Sequence, residues 1–293
     1  MNKRFNGTGV ALVTPFKDDK SIDFDALKKL IDHVISGGVD YLVVMGTTGE
    51  AAVLTSDEKT KLIKFIKTET AGKTPIVIGI GGNNTAALVN TINKTDFSGI
   101  NGILSVAPYY NKPTQAGLYN HYKAIAEASP VPIILYNVPG RTSVNISAET
   151  TLKLANDFEN IQAIKEASGD FAQIMQIIKN KPTGFQIISG DDPLTMPMIS
   201  AGASGVISVT ANAFPKEFSQ MVKFALQGHF QKSRELHYKL LDFTESLFLE
   251  GNPGGIKAAL DILGICKQNL RNPLAPVSQE TYNTIKAKLK EVV

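Results

Sequence analysis

A chain of 293 residues with 43% hydrophobic and 19% charged side chains has the length for one large folded body with an extension, and an apolar share ordinary for a globular protein. Its 30 basic and 27 acidic side chains leave a formal net charge of +3, with no basic run, which argues against a nucleic-acid or membrane-surface partner. The single cysteine rules out an internal disulfide and points to a reducing cytoplasm.

Lys3 and Arg4 precede no apolar segment of the signal-peptide kind, since Pro15 and the charged stretch from Lys17 to Lys20 follow too soon. No apolar run approaches the ~18–20 residues that span a bilayer. The first strand is expected over Val10–Thr14. From Asp23 to Ile35, apolar residues three and four apart mark a helix with one core-facing stripe. A second strand follows over Tyr41–Thr47, and Ser56, ahead of Asp57 and Glu58, has the polar cap and acidic first turn of a helix start. Further strands are predicted over Ile76–Ile80, Gly102–Ala107 and Ile133–Asn137. Ser147 ahead of Glu149 marks another helix start before strands over Ile161–Glu166, Phe185–Ser189 and Gly205–Thr210.

Most of these runs are continuously apolar rather than alternating, as suits parallel strands covered on both faces. Their starts recur roughly every 20–35 residues, and eight such units give the size of an α/β fold of the (β/α)8 TIM-barrel type. A doubly wound open sheet is the structural alternative. No Gly-X-Gly-X-X-Gly fingerprint follows the first strand, which disfavours its dinucleotide-binding form. Three helices are then predicted over His229–Leu249, Pro253–Leu263 and Ser278–Val293. The expected organisation is a catalytic barrel domain over residues 1–228 and a C-terminal helical domain over 229–293. Cys266 falls in the latter and reads as a small buried hydrophobe within a helix.

In a barrel of this type the chemistry gathers at the carboxyl ends of the strands. Lys165 stands near the end of the predicted sixth strand, in Ile164-Lys165-Glu166-Ala167-Ser168-Gly169. Lysine is rarely buried without a reason. One reading is a side chain that snorkels or pairs with a carboxylate such as Glu166. The other is a Schiff-base nucleophile, because burial disfavours the ammonium form and restores the amine's reactivity. The turn Gly46-Thr47-Thr48-Gly49-Glu50 offers close backbone approach and two hydroxyls to a small anion, although an ordinary strand-to-helix turn uses the same residues. Tyr136 can donate and accept a proton, or be a buried aromatic. Arg141, just beyond it, can grip a carboxylate with two bonds, or be a solvated surface arginine. Tyr109 and Tyr110 end the fourth strand in a proline-containing loop, where packing or an interface is the usual role. The four histidines form no ligand-like pattern, which weighs against a metal-dependent reaction.

The order of these stretches along the chain resembles the pyruvate-dependent class I aldolase superfamily of dihydrodipicolinate synthase and N-acetylneuraminate lyase. The matching stretches are Gly46–Glu50, Pro108–Pro113, Tyr136–Thr142, Ile164–Gly169, Ser189–Asp192 and Gly205–Asn212, and the resemblance runs from about Gly7 to the C-terminus. The threonine motif and Arg141 point to the synthase branch. That resemblance implies an imine between Lys165 and pyruvate and a proton relay of Tyr136, Thr47 and Tyr110, with Tyr110 reaching a neighbouring subunit's site. Backbone amides of Thr47 and Thr48, with the Thr48 hydroxyl, would hold the pyruvate carboxylate. Arg141 would bind the carboxylate of L-aspartate 4-semialdehyde, and Gly190 and Ile207 would lend backbone groups near the lysine. It implies no cofactor and a homo-oligomer, a dimer of dimers.

Feedback by L-lysine is where the chain departs from inhibited relatives. Ala51, Ser56, Lys59 and Ala87 stand at the positions matching their polar and acidic residues, while Asn83 and Tyr109 remain, so weak or absent inhibition is expected. The alternatives are a lyase for N-acetylneuraminate or a keto-deoxy sugar acid using the same Lys165 chemistry, and a catalytically silent barrel that binds a keto acid. A nucleotide-dependent dehydrogenase lacks its phosphate-binding glycine loop.

Overall fold

The computed structural model describes residues 5–292; Lys3, Arg4 and the last residue of the predicted C-terminal helix lie outside them. In chain order the elements are β1 (Gly7–Ala11), α1 (Phe24–Ser36), β2 (Tyr41–Val44), α2 (Ser56–Thr70), β3 (Ile76–Gly79), α3 (Thr85–Lys94), β4 (Gly102–Val106), α4 (Gln115–Ala128) and β5 (Ile133–Asn137). They continue as α5 (Pro139–Thr142), α6 (Ala148–Asp157), β6 (Ile161–Glu166), α7 (Phe171–Asn180), β7 (Gln186–Ser189), α8 (Thr195–Ala201), β8 (Gly205–Ser208) and α9 (Pro215–Leu226). The eight strands close into one barrel. Every neighbouring pair is parallel, including the closing pair of β1 and β8. Closure answers the open-sheet alternative.

Side chains alternate across each strand, so each apolar run serves two cores. Leu42, Ile78, Ile103, Leu135, Ile164, Ile187 and Val206 face the helix layer. Val43, Val77, Leu104, Ile134, Ala163, Ile188 and Ile207 fill the barrel interior. Seven of the eight strands start at the predicted residue or one later; β1 is the exception in position, lying three residues earlier than Val10–Thr14. Its Gly-Thr-Gly start carries no apolar signal, yet Gly9 is needed there, because a Cβ on it would sit 2.3 Å from the Tyr41 ring. The prediction for α2 also shifts: Ser56 is already helical and Thr55 is the cap, in a reciprocal capping box with Glu58. Ser147 caps α6 as expected, accepting from the Thr150 amide.

Three further helices follow: α10 (Phe230–Ser246), α11 (Gly254–Ile262) and α12 (Gln279–Val292). Helix α10 lies along α9 and carries Phe243 edge-on against Phe214, ring centres 4.8 Å apart. Cys266 is buried as expected, but it stands in a bend after α11 rather than inside a helix. Burial pushes its thiol up to about 12, so it is a poor nucleophile. Among the described residues, no helix is long and apolar enough to cross a membrane.

Candidate active site

A cavity of about 470 Å³ opens at the carboxyl ends of the strands. Thr47, Thr48, Tyr136, Arg141, Lys165 and Gly190 all line it, so six of the eight predicted site residues meet in one place.

Lys165 is inside the barrel because of strand alternation. Ala163, two residues earlier, faces the interior, so Lys165 points the same way and up toward the mouth, while Glu166 points into the helix layer. Lys165 is 5% exposed, and Tyr136 sits opposite it in the register between β5 and β6. Its Nζ lies 4.4 Å from the centre of the Tyr136 ring. Among the described residues it has no ion-pair partner. The pairing with Glu166 is therefore excluded. That carboxylate accepts instead from Asn137 (2.9 Å), Gln173 (3.1 Å) and the Ser168 hydroxyl (2.7 Å). Burial raises the Glu166 carboxyl above its ordinary value, and the Ser168, Asn137 and Gln173 bonds oppose that rise.

Gly190 lies against the lysine stem. A Cβ there would stand 2.8 Å from Lys165 Cε and 2.8 Å from Ala167 Cβ, so only glycine leaves the lysine its path. The Gly190 amide donates to the Glu166 carbonyl at 2.6 Å. Two positions on, Asp192 is buried and its Oδ2 accepts from the Val209 and Thr210 amides at 3.0 and 2.8 Å. Among the described residues its Oδ1 has no hydrogen-bond partner. Burial pushes this carboxyl above the usual carboxylate range.

The turn after β2 is held from several sides. Gly49 and Glu50 amides donate back to the Gly46 and Thr47 carbonyls at 3.1 and 3.0 Å. The Thr14 hydroxyl donates to the Gly49 carbonyl at 2.7 Å. Asn252 donates to the Thr48 hydroxyl at 2.9 Å, and its carbonyl accepts from the Arg141 guanidinium at 3.2 Å. One residue from the C-terminal helical segment thus links both expected carboxylate-binding groups, and among the described residues its own Oδ1 is buried without a hydrogen-bond partner. Glu245, Phe248 and Leu249, at and beyond the end of α10, complete the rim of the cavity.

Tyr110 and Ile207 do not line the cavity. Ile207 is in the barrel interior. Tyr110 is 88% exposed with a backbone φ of +73°, on a loop tied to its neighbour by the Asn83 side chain bonding the Tyr109 carbonyl at 3.1 Å. Within one chain, and among the described residues, no hydrogen bond joins the hydroxyls of Tyr136, Thr47 and Tyr110. The sequence reading missed Asn252, Asp192, Glu245, Phe248 and Leu249 as lining residues. Asp192 stood in a quoted motif without a role; the others lie beyond the eighth strand in the C-terminal helical segment, and Asn252 bonds Arg141 and Thr48 across 111 and 204 positions, beyond the reach of local spacing. Among the described residues, no group of three or more His, Cys, Asp or Glu side chains is arranged to hold a metal ion.

A model of the dihydrodipicolinate synthetase family matches residues 4–292. The chain is 51% identical over 286 residues to the 4-hydroxy-tetrahydrodipicolinate synthase of Parabacteroides distasonis, covering 98% of this chain and 96% of that one. It is 53% identical over 281 residues to the protein of the same name from Flavobacterium psychrophilum, covering 96% of each. The crystal structure of dihydrodipicolinate synthase from Aquifex aeolicus superposes with a TM-score of 0.95 at 44% identity, over 98% of each chain.

Proposed function

This chain belongs to the dihydrodipicolinate synthetase family, and from that premise we propose that it condenses pyruvate with L-aspartate 4-semialdehyde to 4-hydroxy-tetrahydrodipicolinate through an imine on Lys165. The observation that carries the reading is a buried lysine lining the cavity, with an aromatic ring beside it and, among the described residues, no carboxylate paired with it.

The amine of Lys165 attacks the pyruvate ketone, and water leaves as the imine forms. The protonated imine draws electrons, so a methyl proton departs to give an enamine. The enamine carbon attacks the aldehyde of the second substrate. That substrate's own amine then displaces Lys165 and closes the ring. Every step moves a proton, which suits hydroxyl groups that both donate and accept. Tyr136 takes that role beside the lysine. The Thr47–Thr48 turn receives the pyruvate carboxylate, and Arg141 receives the carboxylate of the semialdehyde. Tyr110 completes the relay from a second copy of the chain, and its 88% exposure and the exposed Thr47 support that assignment. The competent unit is then at least a dimer with a two-fold, self-complementary contact.

A coupled assay with both substrates tests the reading on the wild-type protein and on Lys165→Ala. Product from the wild type and none from the variant is expected. Turnover of pyruvate with a sugar, and none with the semialdehyde, would assign the site to a sugar-acid lyase instead.

A further inference from the structure

We infer that the buried Lys257–Glu50 pair is a positioning device for the Thr47–Thr48 turn, through which helix α11 of the C-terminal helical segment sets the protein's grip on the substrate carboxylate. The inference rests on the reading that this turn receives pyruvate.

Lys257 stands on α11 and Glu50 closes the turn, and both side chains are 0% exposed. The ammonium bonds the Glu50 carboxylate and the Asn269 carbonyl at 2.8 Å, with the Phe16 ring centre 4.2 Å away. The other Glu50 oxygen accepts from the Arg271 amide at 3.1 Å. Charge and hydrogen-bonding capacity are thus met at one point, by groups more than 200 residues from Glu50 in sequence. Glu50 itself has φ of +54°, a left-handed conformation that residues with a side chain avoid and that persists where the surroundings fix it.

Asn252, just before α11, bonds the Thr48 hydroxyl, and Lys257, further along, bonds Glu50. Helix α11 and the residue that leads into it therefore hold the turn at two places on either side of Gly49. A buried ion pair is often no better for stability than apolar residues of similar size, whereas breaking one half leaves an uncompensated charge. The two contributions of the pair are consequently separable: its charge balance matters to folding, and its directional bonds matter to where the turn lies.

The test uses the full chain as Lys257→Met, Glu50→Leu and the double variant. Two quantities are measured: the thermal unfolding midpoint, and the pyruvate concentration giving half-maximal borohydride-trapped adduct on Lys165. The second does not depend on the folded fraction. Each single variant is expected to lower the midpoint. The double variant is expected to recover most of it while its half-saturating pyruvate stays raised about tenfold, the scale of one lost charge-assisted hydrogen bond. A double variant with both quantities at wild-type values overturns the inference. If the double variant does not fold, Lys257→Arg keeps the charge but moves it; raised half-saturation there supports the inference and an unchanged value overturns it. Glu58→Gln, which removes the carboxylate partner of Arg271 outside the turn, is expected to lower the midpoint alone, and an equal rise in half-saturation would overturn the inference as a generic effect of destabilisation. Absence of any pyruvate adduct on wild-type Lys165 removes the reading beneath the inference, and this outcome is distinct from normal wild-type trapping with unaltered variants.

Discussion

Two regions of this molecule bury a lysine, and they treat it in opposite ways. In the seam between the barrel and α11, Lys257 meets a carboxylate, a backbone carbonyl and an aromatic ring. At the barrel mouth, Lys165 meets an aromatic ring and an open cavity. Burial is therefore not the mark of the nucleophile. The mark is burial without a counter-charge, beside a space where a carbonyl compound fits and a hydroxyl group that carries protons.

The widest separation between the two regions comes from removing each lysine in turn. Lys165→Ala is expected to abolish turnover in the coupled assay while changing the unfolding midpoint little, since no ion pair is broken. Lys257→Met is expected to cost about 3–5 kcal/mol in denaturant unfolding, because it strands the Glu50 charge in the interior. Equal losses of stability in both variants would erase the distinction.

Tyr136→Phe keeps the ring beside the Lys165 amine and removes only the hydroxyl. A fall in kcat of about 10²–10⁴-fold, with the pyruvate adduct still trappable, is expected if that hydroxyl carries protons. A kcat near wild type would move the proton chemistry elsewhere. A subtler change is Gly190→Ala, whose new methyl would lie 2.8 Å from Lys165 Cε. Displacing the lysine stem by even part of that overlap is expected to lower the rate of imine formation by about 10²-fold, read by single-turnover trapping. The smallest expected effect is that of L-lysine. The resemblance implies weak or absent feedback from Ala51, Ser56, Lys59 and Ala87, so a titration into the coupled assay should leave the rate almost unchanged; strong inhibition at physiological concentrations would contradict that.

Much of this was legible in the residues. Strands β5 and β6 occupy the predicted spans end to end, because their apolar residues feed two cores, Ile134 and Ala163 the barrel interior and Leu135 and Ile164 the helix layer. Strand β1 was misplaced because Gly7 and Gly9 serve close packing rather than burial of their own surface. Lys165, Tyr136, Thr47, Thr48 and Gly190 stand at or just after the ends of β2, β5, β6 and β7, with Arg141 a little beyond β5, and it was the family resemblance of those stretches, not any one of them alone, that singled the residues out. Strand alternation puts Lys165 and Glu166 on opposite faces, a constraint that the local reading, which allowed the two to pair, did not apply. What spacing does not reveal is contact across the fold. Asn252 bonds Thr48 across 204 positions, and Lys257 bonds Glu50 across 207. Each looks like an ordinary helix-end or helix residue until the barrel closes. Tyr110 is a different case, since its expected role lies in a neighbouring subunit's site and one chain displays only its exposure.

The central claim concerns a single nitrogen, and chemical trapping interrogates it directly. Wild-type protein incubated with pyruvate and sodium borohydride should gain the mass of one reduced pyruvate adduct, and peptide mapping should locate it on Lys165. An unmodified protein, or an adduct carried by another lysine, would contradict the account.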